Sequence, residues 1–301
     1  AITLGIMSFV SQGDHILAAD CSYGPVRTLV RNVLQRMGIQ TTYCAPSVEA
    51  FKAALQPNTK VLYVESPGSL LMQMLDMPAL ADFAKAHDLL LITDNTWGSG
   101  LIYQPLSLGA DVSVVAGTKY VGGHSDLMLG AVIARDKKTA EKIDACNYAL
   151  GFSVSADDAW LALRGVRTMP LRMRETAANA LQVCEALSQW AEVKTIYHPA
   201  WKGDKYHALW QRDATGSNGM LAFSLNVDAA RARRFVDALT LFGIGFSWGG
   251  FESLVQLVDP NSIASHSYWA NDEAVLIRLH IGLENAEDLI ADLNQALVAS
   301  E

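Results

Sequence analysis

Nowhere does this chain run eighteen apolar residues together, so it offers no candidate membrane-spanning helix. It has no C-x-x-C pair either: Cys21, Cys44, Cys146 and Cys184 are scattered, which removes the usual spacings of a zinc site or a thioredoxin-type motif. Positive charge is in short supply, with 23 Lys and Arg against 31 Asp and Glu and a net charge of −8. A nucleic-acid surface needs clustered Lys and Arg, so that class of partner is excluded. Gly122 and Gly123 do not belong to a P-loop, whose spacing is missing. The initiator methionine is missing too. The opening Ala1–Val10 is apolar but lacks a basic n-region and a cleavage signal. It reads as the inside of a cut helix, and the chain is therefore expected to be a fragment. Scattered thiols in a chain of 301 residues, long enough to bury its own core, fit a reducing compartment and a cytoplasmic location.

What is present alternates between two periods. Short apolar runs at 15–19, 60–65, 89–94, 111–116 and 129–134 predict strands. Helical spacing predicts helices at 26–37, 48–55 and 78–87 between them. In the first of these helices Leu29, Val30, Val33, Leu34 and Met37 share a face, and Gly38 supplies a stop. Strands alternating with helices indicate a mostly parallel sheet covered on both faces. After about residue 167 the pattern changes. A helix is predicted over 171–190 with Pro170 at its start. Two strands follow, at 220–227 and 275–281, with helices at 229–241 and 286–298, which predicts a smaller α+β domain. The division expected is 1–167 and 168–301.

The candidate chemistry gathers at strand ends. The apolar strand leading to Asp94 puts a carboxylate where ligands of α/β sheets sit, although capping alone would also account for it. The next strand runs into Gly117-Thr-Lys-Tyr-Val-Gly-Gly-His-Ser-Asp126, so Lys119 follows a buried strand directly. Low dielectric disfavours an ammonium and prepares an amine to form an imine. A lone lysine there would be read as a surface group; its pairing with an acid is the pattern of pyridoxal-phosphate (PLP) enzymes, which use a lysine for the aldehyde and an acid for the pyridine nitrogen. Thr118 beside it has a hydroxyl for the cofactor phosphate. Tyr23 lies just past the strand at 15–19, where its ring could cover a flat cofactor. His124 and Asp126 have no ligand partners at helical spacing and read as structural, so no metal site is expected. In the second half Phe246-Ser-Trp-Gly-Gly places Ser247 and Trp248 beside glycines that permit a tight turn. Arg278, on an apolar strand with His280 on its face, needs either a substrate carboxylate or an internal acid.

Together these residues resemble the Cys/Met-metabolism family of PLP-dependent enzymes. The landmarks are Gln12-Gly-Asp-His-Ile-Leu, Glu65-Ser-Pro-Gly-Ser, Asp94-Asn-Thr-Trp, Thr118-Lys-Tyr-Val-Gly-Gly-His-Ser-Asp, Arg164-Gly-Val-Arg-Thr, Ser247-Trp-Gly-Gly-Phe-Glu-Ser and Arg278-Leu-His-Ile-Gly-Leu-Glu, in order across nearly the whole chain. The resemblance implies an aspartate aminotransferase-like α/β large domain and a smaller α+β domain. It implies Lys119 as the Schiff-base lysine and proton shuttle, Asp94 as the pyridine-nitrogen partner, Tyr23 as the stacking ring and Thr118 as a phosphate contact. It implies Arg278 as the substrate carboxylate clamp, with Ser247, Trp248 and Phe246 at the substrate. The expected reaction is β-elimination of cystathionine to homocysteine, pyruvate and ammonia. The alternatives are cysteine desulfhydrase, methionine γ-lyase or cystathionine γ-synthase activity, or a non-catalytic regulatory protein of the same fold.

Three departures from the family pattern stand out. Gly68-Ser-Leu replaces the common Asn-Pro continuation, as in the branch that works at the β-carbon. Phe246 stands where γ-carbon enzymes often carry Glu and where that branch usually carries Tyr. The largest departure is the first quarter of the family's chain, which would bring a Tyr and an Arg to a neighbouring subunit's phosphate and a Gly-rich phosphate turn. The fragment alone is therefore expected to hold PLP poorly. The whole protein is expected to be a homo-oligomer, a tetramer built from dimers, with no nucleic-acid or membrane partner.

Overall fold

The computed structural model describes residues 1–269 and 274–301. In the first half the strands are β1 (His15–Ala19), β2 (Gln40–Cys44), β3 (Thr59–Glu65), β4 (Leu90–Asp94), β5 (Val112–Ala116) and β6 (Gly130–Ala134). They form one sheet in the order β2-β1-β3-β4-β5-β6, parallel except for the antiparallel edge strand β6. The helices around them are α1 (Ile2–Met7), α2 (Gly24–Leu29), α3 (Val48–Ala54), α4 (Met77–Ala86) and α5 (Lys137–Leu150). Side-chain alternation divides the central strands between two cores. Leu17, Ala19, Leu62, Val64 and Leu91 face one core. Ile16, Ala18, Val61, Tyr63 and Ile92 face the other. Both faces are covered, so these strands read as unbroken apolar runs.

Several segments differ from the expectation. The helix predicted over 26–37 is an α-turn, then a π-helix over Val30–Leu34, then a 3₁₀ turn ending at Gly38 with φ 77°. A π-turn is wider than 3.6 residues, so positions four apart stay aligned. Val26, Val30 and Leu34 are accordingly buried, whereas Val33 and Met37 of the predicted face are exposed. The long helix α6 spans Ala156–Leu187 rather than 171–190 and carries Pro170 inside it. Ser155 caps its start by accepting from the Asp158 N–H, and the helix runs through Pro170 despite the lost backbone hydrogen bond and the ring's crowding of the Val166 carbonyl. The expected division at 167/168 thus falls within one continuous helix.

Among the described residues the second half has five strands, not two: β7 (Val193–Tyr197), β8 (Met220–Leu225), β9 (Gly243–Ile244), β10 (Leu254–Leu257) and β11 (Val275–His280), ordered β7-β8-β11-β10-β9. The strands missed are short or lie at the sheet edge, where alternation has too few residues to register. The remaining helices are α7 (His207–Asp213), α8 (Ala229–Ala238), α9 (Pro260–Ile263) and α10 (Ala286–Ala299). Ile277, Leu279 and Ile281 pack with side chains of α6, α8 and α10 in one core. By alternation Leu276, Arg278 and His280 take the other face, which looks toward the first sheet.

Candidate active site

The carboxyl ends of β1, β3, β4 and β5 lie along one edge of the parallel sheet, and the groups singled out in the sequence follow from that register. Ile92, Thr93 and Asp94 pair with Val112, Ser113 and Val114, while Glu65 pairs with Asp94. Asp94 is buried. Its Oδ1 accepts from the Thr96 N–H at 2.9 Å and from the Thr96 hydroxyl at 2.6 Å. Thr96 Oγ1 in turn accepts from the Ala116 N–H at 2.9 Å, which ties the ends of β4 and β5 together. Both bonds land on Oδ1, so Oδ2 stays available to a cationic N–H. Burial pushes the Asp94 carboxyl up, and the Thr96 bonds, the Ala1 ammonium and the Lys119 charge pull it back.

Lys119 leaves the end of β5 through a turn in which its N–H donates to Ala116 O. Its Nζ donates to Ser247 Oγ at 2.9 Å and lies 5.4 Å from the Trp248 ring centroid. Burial lowers its pKa, Arg278 lowers it further, and Asp94 opposes both. Lysine and acid therefore sit close enough to shift one another, and the amine is biased towards its neutral form.

The second sheet closes over this edge. Gly249 has φ +84°, and a Cβ there would lie 2.9 Å from the Lys119 carbonyl carbon, so only glycine lets the Ser247–Gly250 turn rest on the lysine backbone. From the other side, a Cβ at Gly165 of α6 would collide with the Val121 and Gly122 carbonyls. Arg172 of the same helix donates to Tyr120 O at 2.8 Å. The turn after Lys119 is thus held from both halves of the molecule.

Arg278 is buried without a carboxylate partner among the described residues. Its Nη2 donates to the Phe246 carbonyl at 2.6 Å, its Cζ lies 5.5 Å from the Phe246 ring centroid, and its Nε has no partner. Burial lowers its pKa to about 10. Of the two readings of this arginine, the internal-acid one finds no acid among the described residues. Tyr23 reaches the same space: its ring centroid is 6.3 Å from that of Phe246, and Arg278 acts on its phenol. Lys119, Asp94, Tyr23, Arg278, Ser247, Trp248 and Phe246 therefore come together. The Thr118 hydroxyl, next to Lys119, donates to Leu129 O at 3.2 Å and accepts from the Leu129 N–H at 3.0 Å. His124 bonds Gly122 O and Asp126 pairs with Arg164, both local contacts.

Sequence reasoning passed over Glu65, quoting it only as part of a landmark. Its Oε2 accepts from the Tyr23 N–H at 2.5 Å, and burial together with Asp94 pushes its carboxyl well up. The available signal was its place at the end of an apolar strand, the feature that singled out Asp94.

An amine, a buried acid with one free oxygen, an aromatic ring and an unpartnered guanidinium N–H converge here. That donor set fits a flat pyridine aldehyde together with a substrate carboxylate. A family model described as Cys/Met metabolism PLP-dependent enzyme matches residues 1–298. The chain is 61% identical over 296 residues to a cystathionine β-lyase of Bordetella avium, covering 98% of this chain and 74% of that protein. It is 37% identical over 301 residues to a cystathionine β-lyase of Escherichia coli (strain K12), covering 98% and 76%. Among solved structures it is similar to cystathionine γ-lyase from Lactobacillus plantarum complexed with L-serine, with TM-score 0.91 and 31% identity over 99% of this chain and 79% of that one. The chain thus spans about three quarters of the length of these relatives.

Proposed function

The chain belongs to the Cys/Met-metabolism family of PLP-dependent enzymes, with their aspartate aminotransferase-like α/β fold, and from that premise we propose that it is a carbon–sulfur lyase that cleaves cystathionine at the β-carbon. The observation that carries this reading is the meeting of Lys119 and Asp94 at one strand edge, each shifting the other, under Tyr23 and Arg278. The 61% identity to a cystathionine β-lyase supports the choice of substrate.

When bound, the cofactor supplies an aldehyde that condenses with amines and a ring that withdraws electrons from the substrate α-carbon. Lys119 Nζ would hold the aldehyde, and Asp94 Oδ2 would hold a proton at the pyridine nitrogen. Tyr23 covers the ring face. Arg278 exchanges its bond to the Phe246 carbonyl for the substrate carboxylate, a charge-assisted contact that fixes the α-carbon. Neutral Lys119 would take the substrate α-proton, with Ser247 Oγ setting the direction of its lone pair. Lys119 or Tyr23 returns a proton to the departing sulfur. Cystathionine and water thereby give homocysteine, pyruvate and ammonia. The apolar Phe246 ring offers no acid or base to the γ-carbon, which favours β-elimination.

We further infer a cytoplasmic homo-oligomer, a tetramer built from dimers. All four cysteines are free thiols, as a reducing compartment allows. Tyr148, Phe152, Val154, Trp160 and Leu163 are exposed large apolar side chains on α5, α6 and the connection between them, a surface suited to a twofold-related copy. Among the described residues no helix is long and apolar enough to cross a membrane. Keto-acid analysis with cystathionine and with cysteine tests the reaction. Pyruvate from cystathionine supports it; 2-oxobutyrate would move the chain to γ-chemistry, and pyruvate from cysteine alone would make it a desulfhydrase.

A further inference from the structure

Glu65 is a half-buried acid at the site that the reaction above leaves without a task. It closes β3 directly opposite Asp94 on β4, in a parallel ladder that turns both side chains to the same side. Neighbouring strands lie about 4.8 Å apart, so two carboxyls share one poorly hydrated edge. Both cannot be charged there at low cost, and one must carry a proton. The donors decide which. Asp94 receives two hydrogen bonds from Thr96, and the Ala1 ammonium and the Lys119 side chain lower its carboxyl further. Glu65 receives a single backbone N–H, from Tyr23. The titratable groups that face Glu65 are Asp94 on β4, Tyr63 on its own strand, and Tyr23 and Cys21 on the segment after β1; none of them is a cation.

We propose that Glu65 is a positioning residue that works as a neutral acid: one carboxyl oxygen anchors the backbone of Tyr23, and so its ring over the pyridine, while Asp94 keeps the charge of the pair. Tyr23 caps α2 without any side-chain bond of its own, so the Glu65 oxygen is what fixes its N–H. The direction of the Glu65 shift, upward through burial and Asp94, agrees with the donor count. This inference rests on the reading that Tyr23 and Asp94 serve the cofactor.

Two substitutions separate a neutral anchor from a working carboxylate. Glu65→Gln keeps the carbonyl acceptor and removes the charge; Glu65→Ala removes the acceptor. In the complete enzyme, E65Q is expected to hold cofactor within about twofold of wild type, with unchanged visible circular dichroism. E65A should weaken cofactor binding by about fivefold to tenfold, the effect of one lost hydrogen bond, and alter that signal. The cofactor-free protein gives a second readout. A carboxyl raised in the folded state contributes stability below its unfolded pKa, and that contribution is lost as pH rises towards the folded value. E65Q should therefore gain in Tm relative to wild type as pH climbs above about 4.5. Tenfold weaker cofactor binding in E65Q, or a Tm difference that does not change with pH, would overturn the proposal, and E65Q decides it even if E65A does not fold. Were the site reading itself at fault, Lys119→Ala would leave the cofactor band untouched while the Tm comparison in cofactor-free protein still stood.

Discussion

The two sheets meet at one site but hold their polar groups by different means. Along the parallel sheet, Asp94, Glu65 and the turn of Lys119 are fixed by neighbours at strand ends: Thr96 bonds Asp94 twice, and Glu65 takes the Tyr23 N–H. On the second sheet, Arg278 leans on the Phe246 carbonyl, and both Phe246 and Ser247 are exposed. The first arrangement is set before any ligand arrives and suits proton transfer, where small displacements are costly. The second is a resting contact that a carboxylate can replace. On the proposed reading, one sheet would do the chemistry and the other would recognise the substrate.

Substitutions on the two sheets should therefore fail differently. The largest effect belongs to the parallel edge: Lys119→Ala should lower kcat for pyruvate release by about 10³-fold or more, with an unchanged unfolding transition, because nucleophile and proton shuttle go together. Arg278→Ala, on the recognising sheet, should raise KM about 10- to 100-fold, as expected for one or two lost charge-assisted bonds, with a smaller change in kcat. A kcat loss as deep as that of Lys119→Ala would erase the distinction. At the junction, Gly249→Ala should cost about 2 kcal/mol in denaturant unfolding, since its left-handed backbone and its contact with Lys119 both resist a Cβ. Arg278 also lowers the Lys119 pKa, so in cofactor-free Arg278→Ala the pH at which Lys119 becomes reactive to an acylating reagent should move upward. An unmoved profile would uncouple the two sheets. Ser247→Ala, which removes only the acceptor of the Nζ bond, should reduce kcat by about threefold to tenfold.

The same contrast explains what could be read from the sequence. β1, β3, β4 and β5 are nearly continuous apolar runs because both faces are buried, and the residues after them, Tyr23, Asp94 and Lys119, inherit their positions from the strand ends. β2, β7, β9 and β10 are short or partly exposed and leave little pattern. The N-terminal half of α6 was obscured because Trp160, Leu163 and Val166 are exposed, so no apolar stripe marks it, although Ser155-Ala-Asp-Asp158 carried its cap. Arg278 was legible as an arginine that needs a partner, but that its partner is a carbonyl three residues before Gly249 is tertiary information. Glu65 was invisible as a site residue because its meaning lies in register with Asp94, a residue on another strand.

The account stands on the covalent tether. Borohydride reduction of the holoenzyme followed by peptide mass mapping should leave the pyridoxyl group on the peptide that contains Lys119. Its appearance on any other lysine, or an unmodified Lys119 in active enzyme, would contradict it.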